Sequence, residues 1–301
     1  MRHEPVLLHE VIDALQLKPG SNIIDCTLGD GGHTEQILKK IGPKGKVLGI
    51  DADPESLARA KSFLYTEGER VVYVRDNFEH LSKIVQEAKF GPVHGILMDL
   101  GWSSPQFAER KRGFSFLNPD EPLDMRYTPR DGVRTAADLI EASTMEELEE
   151  IFRVYGEETL SKEIATVIQA YDKDINTAGD LVDIVLDVYR VKLKTNKDVP
   201  WIGRLHPATK VFQALRIAVN DEFGVIERAL PQAIDMLESG GRLVVISFHS
   251  GEDRIVKHYF KSMKHKIVIQ TKKPIVASEE EVKENPRVRS AKLRVVEKLL
   301  K

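Results

Sequence analysis

Through its first hundred residues the chain alternates short apolar runs with segments of helical period. Asn22–Cys26 is an apolar run that leads into the glycine turn Gly29–Gly32, and Thr34–Ile41 follows with helical spacing. Lys46–Asp51 is the next run, and Asp53, Pro54 and Glu55 behind it read as helix N-cap, first helical position and acidic first turn. Val71–Val74 predicts a third strand, Leu81–Ala88 a helix and Val93–Asp99 a fourth strand. Strands separated by helices at this spacing predict a parallel, doubly wound sheet.

The alternation then stops. Residues 101–135 are rich in Pro, Gly, Arg and aromatics and predict a long ordered loop, and from Ala136 to Leu193 the period is helical, with caps at Ser143–Glu146 and Asn176–Thr177. A long helix is predicted from Pro207. Its apolar stripe is Phe212, Leu215, Val219, Phe223 and Ile226, and a polar stripe carries Gln213, Arg216 and Asn220. Gly240-Gly241 predicts a turn before the strand Arg242–Ser247. The remainder predicts a helix, a strand near Lys266–Ile269, an irregular Glu/Pro/Arg segment and a last strand Leu293–Glu297. The whole reads as one α/β domain in two parts, 1–112 and 206–301, interrupted by an inserted helical domain over 113–205.

Composition narrows the class. With 301 residues, 42% hydrophobic and 30% charged, the chain is globular with enough apolar surface for a sizeable core. It has no run of 18 apolar residues and its N-terminus lacks a signal pattern, so a cytoplasmic protein without membrane contact is expected. The single cysteine, Cys26, excludes internal disulfides and a multi-cysteine zinc site. His3, His9, His33 and His206 lack ligand spacing, so no metal is expected. The net charge of −3 hides an asymmetry: residues 251–301 carry 14 Lys/Arg against 7 Asp/Glu, while 138–190 carry 4 against 14. A basic tail can meet phosphate or be a solvated face.

Glycines between a strand and a helix let a ligand approach the backbone and leave helix N–H groups available. Asp51, ending the second strand twenty residues past Gly31, is placed for ribose hydroxyls. Together they point to an adenosine-containing cofactor. A dinucleotide fingerprint would need glycine where Thr34 stands, and no Gly-Lys-Ser/Thr follows for a P-loop. Asp25 before the turn suits a ligand with a free ammonium group, as in S-adenosylmethionine, or it ties down the loop by accepting backbone N–H bonds. Phe78, after the third strand, either packs on an adenine face or is plain core.

Asp99 leaves the fourth strand at the sheet edge where doubly wound folds place their sites. Trp102 follows at the spacing of the D-P-P-Y motif of amino-group methyltransferases. An exocyclic base amine is a poor nucleophile because its lone pair is conjugated into the ring, and an acceptor such as Asp99 can hold its protons. Cys26, inside a strand end, is ill placed for covalent C5 chemistry, and Ser247–Ser250 lacks a nucleophile elbow. The polar stripe of the helix from Pro207 lines a cleft or faces solvent. Arg110, Lys111, Arg112, Arg126, Arg130 and Arg134, interleaved with Phe114, Phe116 and Tyr127, suit phosphates and stacked bases.

These motifs, taken in order, resemble the MraW-type family of bacterial 16S ribosomal RNA cytosine-N4 methyltransferases. The match rests on His3–Glu10, Gly29–Thr34, Asp99–Gln106, Arg112–Phe116, Pro122–Arg126, Tyr155–Glu158, His206–Asn220, Ile246–Lys257 and Arg289–Val295. The resemblance implies a Rossmann-like class I S-adenosylmethionine-dependent methyltransferase sheet with an inserted α-helical domain. It implies S-adenosylmethionine as donor. The implied substrate is the N4 amine of a decoding-centre cytidine in 16S ribosomal RNA, presented within the small ribosomal subunit. By position, cofactor contacts fall on Gly31, Gly32, His33, Asp51, Phe78, Asp99 and Gln106, with Asp99 also catalytic. Arg112, Arg126, Arg216 and Asn220 are the expected RNA contacts. Trp102 replaces a small aliphatic residue of the family, and Gly251 a leucine. The rival readings are a nicotinamide-dependent oxidoreductase, an RNA-binding factor without donor affinity, and a methylase of DNA amines.

Overall fold

A computed structural model describes residues 5–100, 111–129, 132–197, 199 and 205–300. The chain divides into two units, Met1–Trp102 with Phe223–Lys301, and Ser103–Glu222.

The first unit holds a seven-stranded sheet of order β3-β2-β1-β4-β5-β7-β6. Its strands are β1 (Asn22–Asp25), β2 (Lys46–Asp51), β3 (Val71–Arg75), β4 (Val93–Asp99), β5 (Leu237–Ser247), β6 (Ile267–Ile269) and β7 (Lys292–Lys298). The pairings among β1 to β5 are parallel, and β7 runs antiparallel to both β5 and β6. Consecutive side chains of β4 and β5 feed opposite cores, as a pleat requires. Leu97, Val244 and Ile246 join Val11, Ile37, Leu38 and Ile41 of the helices α1 (Leu8–Ala14) and α2 (Gly32–Ile41). Ile96, Met98, Leu243 and Val245 join the other core, with Ile84 of α4 (Leu81–Glu87). The helix α3 (Pro54–Phe63) begins as its sequence predicts: the Asp53 side chain accepts from the N–H groups of Glu55 and Ser56.

The second unit gathers α5 (Ala136–Ala142), α6 (Met145–Val154), α7 (Ser161–Ala170), α8 (Ala178–Leu193) and α9 (Thr209–Asn220) around Phe152, Ile164, Leu181, Phe212 and Leu215. Capping boxes at Thr135, Thr144 and Thr177 start α5, α6 and α8.

The long helix expected from Pro207 is two helices. Asp221, at φ 48°, ends α9, and α10 (Glu222–Met236) starts afresh. The apolar stripe is split accordingly. Phe212 and Leu215 pack in the helical unit, whereas Ile226 packs under the sheet. This is why the second unit runs to Glu222 rather than to 205. The ladder of β5 is irregular between Leu237 and Arg242, where Gly240 takes φ 78°, and regular pairing resumes at Arg242.

Candidate functional site

The strand order reverses at β1, which lies between β2 and β4, so the carboxyl ends of these strands open the crevice where doubly wound sheets bind ligands. Asp25 ends β1 and sits in register between Gly49 and Leu97. Its Oδ1 accepts from the Thr27 N–H at 3.2 Å and its Oδ2 from Thr34 Oγ1 at 2.7 Å. Both oxygens are thus taken by the turn, so Asp25 ties down the loop. Burial pushes its carboxyl up to about 6, against the lowering pull of those two bonds.

Gly29 and Gly31 adopt φ 53° and 84°, a region costly for residues with a Cβ, and Gly31 stands as the N-cap of α2 with no side chain closing the helix end. A Cβ on Gly31 would press on Leu64, and one on Gly32 on Pro5, so the turn is packed from below.

Asp51 ends β2. Its Oδ2 accepts from the Gly29 N–H and its Oδ1 from the Asp53 N–H, both at 2.8 Å, which fixes the carboxylate and leaves each oxygen a further lone pair. Burial raises it to about 6, and the neighbouring Asp53 and Asp25 charges push the same way. Phe78 begins a short 3₁₀ turn after β3, behind Asn77, whose side chain accepts from Glu79 N–H. Its ring is partly buried against the core, so one part packs and another stays accessible.

Asp99 ends β4. Its N–H donates to Thr27 Oγ1 at 2.8 Å, and its Oδ2 lies 4.0 Å from His33 Nδ1. His33 is buried, and its Nε2 contacts the Val6 carbonyl at 2.9 Å. Since a carbonyl only accepts, Nε2 carries the proton and Nδ1 faces Asp99. Nothing in the sequence marks Thr27, which reads only as a hydroxyl two residues beyond Asp25.

Gly31, Gly32, His33, Asp51, Phe78 and Asp99 are thus gathered at the carboxyl edge of one sheet. Gln106, with Trp102, Arg110 and Arg130, lies outside the described residues. Cys26 is buried, and burial together with Asp25 pushes its thiol well up, the opposite of an activated nucleophile. Ser247 is buried and donates to the Lys292 carbonyl, and His249 caps the next helix, α11 (Ser250–Ser262). A Cβ on Gly251 would collide with the Phe223 ring, so this departure from the family pattern has a packing reason.

The four expected RNA contacts lie in the second unit, and each has protein partners. Arg112 Nη1 donates to the carbonyls of Arg126 and Tyr127. Arg126 makes a forked pair with Asp124 at 2.7 and 2.8 Å. Arg216 makes another with the buried Glu222 at 2.8 and 3.0 Å, and Tyr127 OH donates to the same carboxylate at 2.5 Å. Asn220 accepts from Tyr127 N–H and donates to the Met125 carbonyl. Phe114 stacks on Tyr127 and Phe116 on His206, with centroids 5.8 and 4.5 Å apart. Burial lowers the His206 pKa.

The edge residues fit an adenosine ligand of positive charge better than a dinucleotide. Asp25, Asp51, Asp53 and Asp99 all end or follow the strands there, and so many carboxylates oppose a pyrophosphate. Among the described residues, no helix is long and apolar enough to cross a membrane.

Comparison with known proteins agrees with this geometry. A protein of Dictyoglomus thermophilum named ribosomal RNA small subunit methyltransferase H is 45% identical over 298 residues, 98% of this chain and 96% of that one. One of the same name from Heliobacterium modesticaldum is 43% identical over 320 residues, 99% of this chain and 98% of that one. The model of the MraW methylase family matches residues 1–299. On a match of that length, and with a Rossmann-like sheet carrying its acidic residues at the strand ends, the chain belongs to the MraW methylase family.

Proposed function

We propose that the protein methylates the N4 amine of a cytidine in the decoding centre of 16S ribosomal RNA, with S-adenosylmethionine as donor. The observation that carries this reading is the acidic edge of β1, β2 and β4 in a chain whose full-length relatives are named for the small-subunit RNA. S-adenosylmethionine bound there supplies an electrophilic methyl group on a positively charged sulfur.

Asp51 accepts the ribose hydroxyls on its remaining lone pairs, and Phe78 packs on the adenine. The turn Gly29–Gly32 and the start of α2 bring N–H groups to the polar end of the donor. Asp99, held by Thr27, accepts hydrogen bonds from the target amine. That interaction draws electron density toward nitrogen, orients its lone pair, and gives the departing proton an acceptor as the N–C bond forms and the sulfur–methyl bond breaks, its electron pair staying on the sulfur of the leaving thioether. The cytidine is splayed from the RNA into this edge, because a stacked base presents its amine only sideways. Cytoplasmic placement, with the small subunit as the physical substrate, follows from this reading.

The test is transfer of label from S-adenosylmethionine to small ribosomal subunits, then digestion to nucleosides and identification by mass. N4-methylcytidine is expected. Label at cytosine C5, on another base, or only on DNA contradicts the proposal.

A further inference from the structure

From Arg254 to Ser278 the chain carries seven Lys/Arg and no Asp/Glu. The two carboxylates just before this stretch, both on α11, are engaged. Glu252 is buried and accepts from the Phe248 and His249 N–H groups, and Asp253 holds Arg294 through a fork at 2.6 and 3.0 Å. Val256 and Phe260 seat the helix on the sheet, which fixes the opposite face outward. That face presents Lys257 and Lys261 at i and i+4, with His258 beside them, and Lys264 continues the line in the turn that follows. All four are exposed. Lys266 is excluded, because it pairs with Asp235 at 2.8 Å.

Such a row is unfavourable in the protein by itself. Like charges four residues apart cost a helix roughly 0.2–0.5 kcal/mol per pair. Lys261 gains from the helix C-terminus, but Lys257 has no such benefit. The stripe covers about 10 Å along the helix. It also starts at the right edge, since β5 pairs Ile246 with Asp99 and α11 begins four residues further on.

We propose that this stripe is a docking surface for the sugar-phosphate backbone of the ribosomal RNA, apart from the residues that hold the target base. The inference rests on the function proposed above and adds where the substrate is held. Lysines suit it, as mobile point charges that bind phosphate without reading sequence.

The test compares two triple variants. One replaces Lys257, Lys261 and Lys264 by Gln; the other replaces Lys40, Lys44 and Lys46, exposed lysines by the amino end of β2, with the same change of charge. Binding to small subunits and to naked 16S ribosomal RNA is measured across a salt series, and donor affinity by calorimetry. The stripe variant is expected to bind both RNAs roughly tenfold or more weakly at about 0.1 M salt, with a log–log salt slope shallower by about two. The control variant keeps the parent's RNA affinity, and both keep its donor affinity. Equal behaviour of the two variants overturns the proposal. So does a loss confined to assembled subunits, which would make the partner an acidic protein face. A parent protein that binds RNA in this stripe-dependent way yet forms no N4-methylcytidine leaves the surface standing and counts against the proposed function.

Discussion

The main-chain N–H of Asp99 donates to the side-chain oxygen of Thr27 at 2.8 Å, linking the end of β4 to the turn after β1. Thr27 is itself held, since its N–H donates to Asp25, which also takes the Thr34 hydroxyl. A buried carboxylate thereby sets the place of a partly exposed one through a single threonine.

Thr27→Val should therefore damage turnover more than binding. The variant keeps the shape and loses the acceptor, so kcat is expected to fall about tenfold or more through misplacement of Asp99. Donor affinity should change less than threefold. Thr27→Ser, which restores the hydroxyl, should recover most of the rate. Steady-state kinetics with calorimetry separates the two effects, and equal rates for the Val and Ser variants would show that the hydrogen bond does not position Asp99.

Asp51→Ala should weaken donor binding by about two orders of magnitude, the worth of two hydrogen bonds to a charged group. Calorimetry on the free protein reads this directly. Unchanged affinity would remove Asp51 from the ribose site.

Asp51 also predicts two pH effects of opposite sign. Its carboxyl stands at about 6 in the folded protein against an ordinary 3.8, so the native state holds a proton that the unfolded chain has lost. The stability it contributes is complete below about pH 3.8 and is lost as pH rises through about 6. Lowered groups such as Asp124 and Asp180 act the other way, so the effect is read as the melting difference between wild type and Asp51→Asn. That difference should shift against wild type between pH 4 and 6.5, where the variant is blind to the proton. Donor affinity should instead tighten through the same interval, because ribose hydroxyls need the ionised carboxylate. A pH-independent melting difference contradicts the first effect, and a donor affinity equal at pH 5 and 7 the second.

Arg216→Ala should act on stability before it acts on RNA. It strands Glu222, only 6% exposed, without its forked partner. A loss of roughly 3 kcal/mol is expected, visible as a lower melting temperature of the helical unit. Weaker RNA binding at an unchanged melting temperature would assign Arg216 to the RNA instead.

Asp51 and Arg216 differ in how much of their placement the sequence carries. That Gly29–Gly32 and Asp51 share one sheet edge is legible because one strand–turn–helix and the next strand end lie close in the chain, with the spacing fixed by βαβ geometry. Thr27 is not, since its partner Asp99 comes next to it only through the order β2-β1-β4, a property of the whole sheet. Arg126 and Arg216 are expected RNA contacts because cations among aromatics suit phosphates and bases, and their ion pairs within the protein are what the sequence does not show. Their carboxylates, Asp124 and Glu222, were in plain view, but nothing local says that an arginine six residues before Glu222 will reach it across a helix break. That break at Asp221 escaped for a related reason. The apolar stripe runs on in phase through Phe223 and Ile226, and the residue that takes the left-handed turn is not a glycine.

The most direct test is single-turnover methyl transfer by Asp99→Asn, with donor and small subunits both saturating. The amide keeps the size of Asp99 and loses the charge that receives the amine's proton. Near-normal binding of donor and RNA is expected, with a rate of N4-methylcytidine formation lower by about a hundredfold or more. A variant that transfers the methyl group at the wild-type rate would place the chemistry elsewhere than at the end of β4.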